Sequence, residues 1–201
     1  MSFSKYISII LHPLLMPFTA VYLSFVLVPT IGFAIANYIN FIFTVLILCT
    51  IIMPLISLII LIKLRLVSSL EISEHKERPL PLLISGMWLL IGYYIIDDLL
   101  VFTPLIKVEI LAAIIIVFLA SIISKYWKIS LHMLAAGGVV GVLILLSVLF
   151  GVPIFALAIS VLASGCLGVA RLNENAHDHK QVYSGFLLGL VAELCAGLLL
   201  I

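Results

Sequence analysis

Residues 40–62 read NFIFTVLILCTIIMPLISLIILI and contain no charged side chain. A helix of about 20 apolar residues crosses the hydrocarbon core of a bilayer, so this stretch predicts a membrane-spanning helix. Six more apolar stretches fill the chain on either side of it, at 7–28, 81–96, 105–124, 130–150, 152–170 and 182–201. We therefore predict an all-α, polytopic bundle of six to seven transmembrane spans, forming a single domain over residues 1–201.

The composition excludes a water-soluble domain. Apolar residues make up 65% of the chain and charged residues 9%, whereas a soluble domain carries about 25% charged residues. The formal net charge of +1 argues against an electrostatic nucleic-acid binder. Cys49, Cys166 and Cys195 show neither paired nor metal-ligand spacing, so we expect them to pack as small apolar side chains.

The apolar sequence that precedes Ala34 is interrupted by Pro13, Pro17 and Pro29. A secretory signal peptide has a shorter, continuous apolar region. We therefore expect residues 7–28 to be retained as a first span.

Polar residues concentrate in three connections, at 63–79, 125–132 and 171–181. Two predicted spans precede the first connection, and two separate each connection from the next, so all three and the N-terminus are expected on one side of the membrane. Nine of the ten Lys and Arg residues fall on that side, and only Lys107 falls opposite. The positive-inside rule makes that side cytoplasmic. We expect an integral protein of a bacterial inner membrane.

The three connections contain a mixture of side chains that suits a phosphate group. Arginine forks bind phosphoryl oxygens bidentately, and a serine at the start of a helix adds a hydroxyl beside free backbone N–H groups. Two histidines can act as nucleophile and general acid near neutral pH. The candidate residues are Lys76, Arg78, Ser130, His132, Arg171 and His177.

The order of these residues resembles the three motifs of the type 2 phosphatidic acid phosphatases, the PAP2 superfamily. Those motifs are K-x6-R-P, P-S-G-H and S-R-x5-H-x3-D. Here Arg78-Pro79 is similar to the end of the first motif, Ser130-Leu131-His132 to the second, and Arg171 with His177 and Gln181 to the third. The departures are Glu71 at the lysine of the first motif, Ile129 and Leu131 in the second, and Ala170 and Gln181 in the third.

The resemblance implies a lipid phosphate or diphosphate phosphatase that uses a phosphohistidine and requires neither metal nor cofactor. Its substrate would be a membrane lipid, such as a lipid or isoprenoid phosphate, presented from the bilayer. His177 would attack phosphorus, His132 would protonate the leaving oxygen, and Gln181 would orient His177 in place of the family's aspartate. The phosphoryl oxygens would be held by Arg78, Arg171 and Ser130, with Lys76 as a substitute for the missing lysine.

Two alternatives stay open at this point. Glu71, Leu131 and Gln181 favour a catalytically impaired relative that binds lipid headgroups or a protein partner. Glu193, an ionisable residue in the middle of the last apolar stretch, favours a small transporter. The side of the membrane is open too, because bacterial members of the resembled family often have the site on the outer face, whereas the charge bias predicts the cytoplasmic face.

Small residues predict close helix packing in the second half of the chain. Gly185-x-x-x-Gly189 allows two helix backbones to approach each other, and Gly137, Gly138 and Gly141 suggest the same for the stretch at 130–150.

Overall fold

A computed structural model describes residues 3–200, and these contain helices and connections but no strand. The α-helices in this part of the chain are α1 (Phe3–Ile10), α2 (Met16–Leu27), α3 (Pro29–Ala34), α4 (Ile39–Ile47), α5 (Met53–Lys63), α6 (Pro79–Ile96), α7 (Pro104–Ser124), α8 (Leu131–Phe150), α9 (Ile154–Asn173) and α10 (His179–Leu200). The all-α prediction is confirmed.

Within the described residues, six helical segments are long and apolar enough to cross a membrane: Ala36–Lys63, His75–Phe102, Pro104–Ser124, Leu131–Phe150, Ile154–Asn173 and His179–Leu199. The third predicted span, at 81–96, is thus longer than the sequence indicated. Turns of 3₁₀ helix extend α6 at both ends, over His75–Glu77 and Asp97–Phe102. Asp97, at the far end, forms an ion pair with Lys107 at 2.6 Å.

The first predicted span, at 7–28, is not one continuous helix. The chain turns after α1, and the N–H of Leu14 bonds to Nδ1 of His12 at 3.3 Å instead of continuing a helical ladder. Pro13 and Pro17 explain the break, because proline removes a backbone donor and restricts the residue before it. The remaining helix α2 has 12 residues, about 18 Å at the usual helical rise. Residues 3–200 therefore contain six helical segments long enough to span a membrane, preceded by a broken N-terminal segment.

The span at Ala36–Lys63 carries a local π-helical turn over Leu48–Ile52, just before Pro54. A π turn is a common response to a proline inside a helix, because the proline cannot donate to the preceding turn. Cys49 and Thr50 lie on this turn and are buried. We infer that Pro54, through this π turn, directs the polar side chain of Thr50 into the interior.

Helices α8 and α10 form the closest pair in the bundle, and glycines explain the approach. A Cβ atom on Gly185 would lie 2.7 Å from the carbonyl oxygen of Ser130, and one on Gly189 would overlap the carbonyl of Leu134. On α8, a Cβ on Gly137 would overlap the backbone of α10 at Phe186. The predicted glycine packing is confirmed, and it holds the first turns of α8 and α10 side by side.

The three polar connections meet at one end of the bundle, as the span count predicted. His75 Nδ1 donates to the carbonyl oxygen of Ser124 at 2.9 Å, which joins the first connection to the end of α7. Arg78 reaches the second connection, and the N–H of Ser130 bonds to the carbonyl oxygen of Gln181 at 3.4 Å. The N-terminal helix α1 lies at the same end, because Lys5 pairs with Glu71 at 3.5 Å.

We expect Gly189→Val to destabilise the protein, because the added side chain cannot fit against the backbone of α8. Overpacking of this kind costs about 1–3 kcal/mol, so the melting temperature in detergent should fall by several degrees. Gly165→Val is the matched control, since a Cβ at Gly165 meets nothing within 4 Å and the residue is exposed on α9. Equal melting temperatures for the two variants would contradict the packing described here.

Candidate functional site

A cavity of about 210 Å³ opens among the helices below the polar connections. Two arginines and three histidines line its polar end: His12, Arg78, His132, Arg171 and His177. Its body is lined largely by apolar side chains, among them Met16, Leu46, Leu58, Leu82, Leu89 and Val142. A cationic end joined to an apolar body matches the two parts of an anionic amphiphile.

His177 lies in the connection before α10, is only 9% exposed and contributes to the polar end of the cavity. Its Nδ1 lies 2.8 Å from the amide oxygen of Gln181, one turn into α10. An amide oxygen can only accept a hydrogen bond, so Nδ1 carries the ring proton in this arrangement. The lone pair of the neutral ring is then on Nε2, which is the nitrogen available to a ligand.

Burial lowers the pKa of His177 to about 4, and the hydrogen bond to Gln181 opposes this shift. Positive charge nearby lowers the pKa further, from Arg78, Arg171 and Lys128. Because the ring is uncharged above that pKa, His177 is a neutral imidazole at physiological pH. A neutral imidazole with a free Nε2 has the protonation state of a nucleophile.

Arg78 is 5% exposed and precedes Pro79 at the start of α6. Its Nε donates to the carbonyl oxygen of Ile72 at 2.9 Å, and its Nη1 donates to that of Ile129 at 3.0 Å. A guanidinium has five N–H donors, so these two bonds fix the group and leave donors for a ligand. The contact with Ile129 also joins the first connection to the second.

Arg171, in the last turn of α9, is held by a second small network. Its Nη1 forms an ion pair with Glu174 at 2.7 Å and donates to the hydroxyl of Ser8 at 3.2 Å. Its Nε is buried and has no hydrogen-bond partner among the described residues. A buried, unpaired donor on a guanidinium is costly, and an anion in the cavity would supply the missing acceptor.

His132 and His12 meet edge to face, with ring centroids 5.5 Å apart. His132 Nε2 donates to the carbonyl oxygen of Ser8 at 3.1 Å, which leaves Nδ1 of the neutral ring as an acceptor. His12 has the same tautomer, because its Nδ1 accepts from Leu14 and its Nε2 therefore carries the proton. Burial and the charge of Arg171 lower the pKa of His12, which favours its neutral form.

The remaining candidates from the sequence differ in whether they contact the arginines and histidines of this cluster. Gln181 contacts His177 directly, as the resemblance implied. Ser130 is fully buried at the start of α8, and its hydroxyl has no partner among the described residues. Ser130 and Gln181 do not line the cavity themselves. Lys76 does not line it either and is exposed on the 3₁₀ turn, so the structure does not bring Lys76 to the other candidates. Glu71, at the family's lysine position, lines the cavity mouth instead.

Among the described residues, no carboxylate lies beside His177 where the resembled motif has an aspartate. Glu174 is engaged by Arg171. Asp178 caps α10, where its Oδ1 accepts the N–H of Gln181 at 2.8 Å. Within residues 3–200, moreover, no group of three or more His, Cys, Asp or Glu side chains is placed to hold a metal ion. The two guanidinium groups give the polar end of the cavity a positive charge that suits an anion.

Comparison with protein-family models, curated proteins and solved structures finds no match to this chain.

Sequence reasoning missed the contribution of the N-terminal segment. His12 bonds to Leu14 through Nδ1 and also lines the cavity beside His132. Ser8 contacts Arg171 through its hydroxyl and His132 through its carbonyl. The sequence signal for this contribution is His12-Pro13, a histidine followed by proline at the break in an apolar stretch. Such a break brings backbone and polar groups into a bundle.

Replacing Gln181 by glutamate should raise the pKa of His177 above about 4. The carboxylate would keep the hydrogen bond at the same reach and add an opposite charge, which raises a histidine pKa by roughly one to three pH units. Titration of labelled histidine by NMR in detergent would measure the change. Lys180→Gln alters the net charge by the same amount from an exposed position, and an equal shift in that control would contradict a specific contact.

Proposed function

We propose that this protein is a membrane-embedded hydrolase of lipid phosphates that acts through a phosphohistidine on His177, at the cytoplasmic face of a bacterial inner membrane. The observation that carries the proposal is the cavity end at which neutral His177 lies beside the buried Arg78 and the partly buried Arg171. His177 supplies a nucleophile and the arginines bind the anion that it would attack. A fold of the PAP2 type is part of the same proposal.

The shape and polarity of the cavity favour an amphiphilic substrate. The arginines would hold the phosphoryl oxygens by charge-assisted hydrogen bonds, and the unpaired Nε–H of Arg171 is a donor that such an oxygen would satisfy. The apolar side chains below would receive the hydrocarbon part of a lipid or isoprenoid phosphate. A soluble sugar phosphate would leave that part of the cavity unfilled.

In the first step, Nε2 of His177 would attack phosphorus while the bond from phosphorus to the lipid oxygen breaks. Arg78 and Arg171 would stabilise the charge on the phosphoryl oxygens as the bond breaks. The leaving oxygen would take a proton from His132, which must be protonated at Nδ1 for this purpose. The negative charge of the bound phosphate favours that protonation.

In the second step, water would attack phosphorus and the bond to His177 would break. His132, neutral after the first step, would accept the proton of the water through Nδ1 and so return to its starting state. Throughout, Nδ1–H of His177 would stay bonded to Gln181. The balance is one lipid phosphate and one water consumed, with one lipid alcohol and one phosphate released.

A second candidate is a protein that binds the same lipids without turnover, and the amide of Gln181 favours it. An amide orients the ring but cannot stabilise positive charge on it. In the serine-protease triad, the corresponding change from aspartate to asparagine lowers turnover about 10⁴-fold. Arg78 and Arg171 would still bind the phosphate in such a protein, so binding alone does not separate the two candidates.

Phosphate release by the purified protein in detergent separates them. The substrates to offer are phosphatidic acid, phosphatidylglycerol phosphate and undecaprenyl diphosphate. If the protein is a hydrolase, His177→Ala should abolish phosphate release. Gln181→Glu should raise it about tenfold or more, because a carboxylate then faces the nucleophile. His179→Ala is the matched control, because His179 is exposed and stacks on Tyr183 outside the cavity.

Binding of all three lipids without release, in both the native protein and Gln181→Glu, would overturn the hydrolase and favour the binding protein. Neither binding nor release by folded protein would overturn both. To decide the side of the membrane, a cysteine placed near His177 can be probed with an impermeant thiol reagent in intact cells. Labelling from outside would contradict the cytoplasmic assignment.

A further inference from the structure

The same cavity contains a second polar region that the proposed hydrolysis does not use. Glu109 on α7 and Glu193 on α10 both line it, and each is 3% exposed. The hydroxyl of Ser24 on α2 donates to Oε1 of Glu109 at 2.6 Å. Thr50, on the π turn, also lines the cavity and is 2% exposed. Two acids and one hydroxyl from three segments of the chain thus line one space, and Ser24 on a fourth segment bonds to one of the acids.

Three oxygen atoms in this region make no hydrogen bond to any described residue. They are Oε2 of Glu109, Oε1 of Glu193 and Oγ1 of Thr50, and all are shielded from solvent. Buried polar atoms in folded proteins are nearly always paired. Three unpaired oxygens that border a common cavity indicate that a ligand with donor or positive character completes their bonding.

This region is far from the basic end of the cavity. Glu193 lies 14 residues beyond the start of α10 at His179, which is about 21 Å along a helix. Glu109 lies 15 residues before the end of α7 at Ser124, or about 22 Å. Both acids therefore lie deep in the bundle, nearer the end opposite to the three polar connections.

No basic side chain in the described part of the chain pairs with either acid. The basic groups that line the cavity are all at its other end: His12, Arg78, His132, Arg171 and His177, with Glu71 at the mouth. Of the neighbouring elements, α8 presents Gly138 and Gly141, α2 presents Ser24, and the π turn presents Thr50 beside the thiol of Cys49. Two uncompensated carboxylates at such depth would cost several kcal/mol each.

We propose that Glu109 and Glu193, together with Thr50, form a binding site for one small monovalent cation, a proton or a sodium ion. Carboxylate and hydroxyl oxygens are hard ligands that suit these ions, and the absence of a third His, Cys, Asp or Glu among the described residues argues against a transition metal. A cation here and an anion at the arginines would share one cavity. Binding of each would then change the affinity for the other by the same factor.

The proposal does not depend on hydrolysis. A cation site would serve a hydrolase, a lipid-binding protein or an ion-coupled carrier of anionic lipids. Its test therefore uses a readout that phosphate release does not affect.

The test is labelling by dicyclohexylcarbodiimide, an apolar reagent that adds to protonated carboxyl groups, followed by peptide mass spectrometry of the full-length protein in detergent. In sodium-free buffer, we expect labelling at Glu109 or Glu193 that falls as the pH rises, by up to about tenfold per pH unit. If sodium is the ligand, sodium chloride should also suppress the labelling at constant pH, and choline chloride at equal concentration should not. A response to pH alone identifies the proton as the ligand.

Four variants serve as controls. Glu109→Gln and Glu193→Gln keep the shape of the side chain, and each should abolish the label at its own position and alter the response of the other. His177→Ala should leave labelling unchanged, which separates this site from the proposed nucleophile. Asp98→Asn removes an exposed acid and should have no effect.

Two results would overturn the proposal. One is the lack of labelling at both glutamates in folded, sodium-free protein at acidic pH, when the denatured protein is labelled at both. The other is labelling that changes with neither pH nor sodium, because it would mean that the acids hold permanent protons with a purely structural role.

Discussion

The close approach of α8 and α10 is the contact on which both polar regions of the cavity depend. At the polar end, glycines on α10 let its backbone approach the carbonyls of Ser130 and Leu134, which holds Gln181 beside the start of α8. Deeper in the bundle, a Cβ on Gly141 would lie 2.7 Å from Cβ of Glu193. A side chain at that position of α8 would displace the glutamate. The same interface therefore positions the partner of His177 at one end and a buried acid at the other.

Backbone carbonyl groups orient Arg78 and His132 at the polar end of the cavity. Arg78 is oriented by the carbonyls of Ile72 and Ile129, and His132 by that of Ser8. These acceptors are available because each lies outside a regular helical ladder, in a connection or near the end of α1. In this apolar bundle, backbone carbonyl groups outside regular helix thus accept hydrogen bonds from the arginine and histidine side chains. The break at Pro13 and the connections that contain Ile72 and Ile129 are therefore part of the site.

Much of the fold could be predicted from the sequence, because apolar length and the placement of charges are strong local signals. The six long helices and the meeting of Arg78, His132, Arg171 and His177 at one end follow from them. The interruption of the first span, the position of Lys76 and the pairing of Glu109 with Ser24 could not be predicted. Each depends on the direction of a turn or on contacts between distant helices. A count of apolar residues does not distinguish a span from two short helices joined by a turn.

Gln181 occupies the position of the aspartate in the resembled motif. Its amide can orient the ring of His177 but cannot stabilise a positive charge on it, whereas a carboxylate would do both. The amide oxygen accepts the Nδ1 proton of His177 at 2.8 Å, so it determines the tautomer and the orientation of the ring. In the proposed reaction it could not balance the positive charge that the ring would acquire when Nε2 bonds to phosphorus, and the neighbouring arginines would oppose that charge. The bound phosphoryl group would then be the main source of negative charge near the ring. The proposed nucleophile would therefore be oriented by the protein, whereas its electrostatic support would depend on the ligand itself.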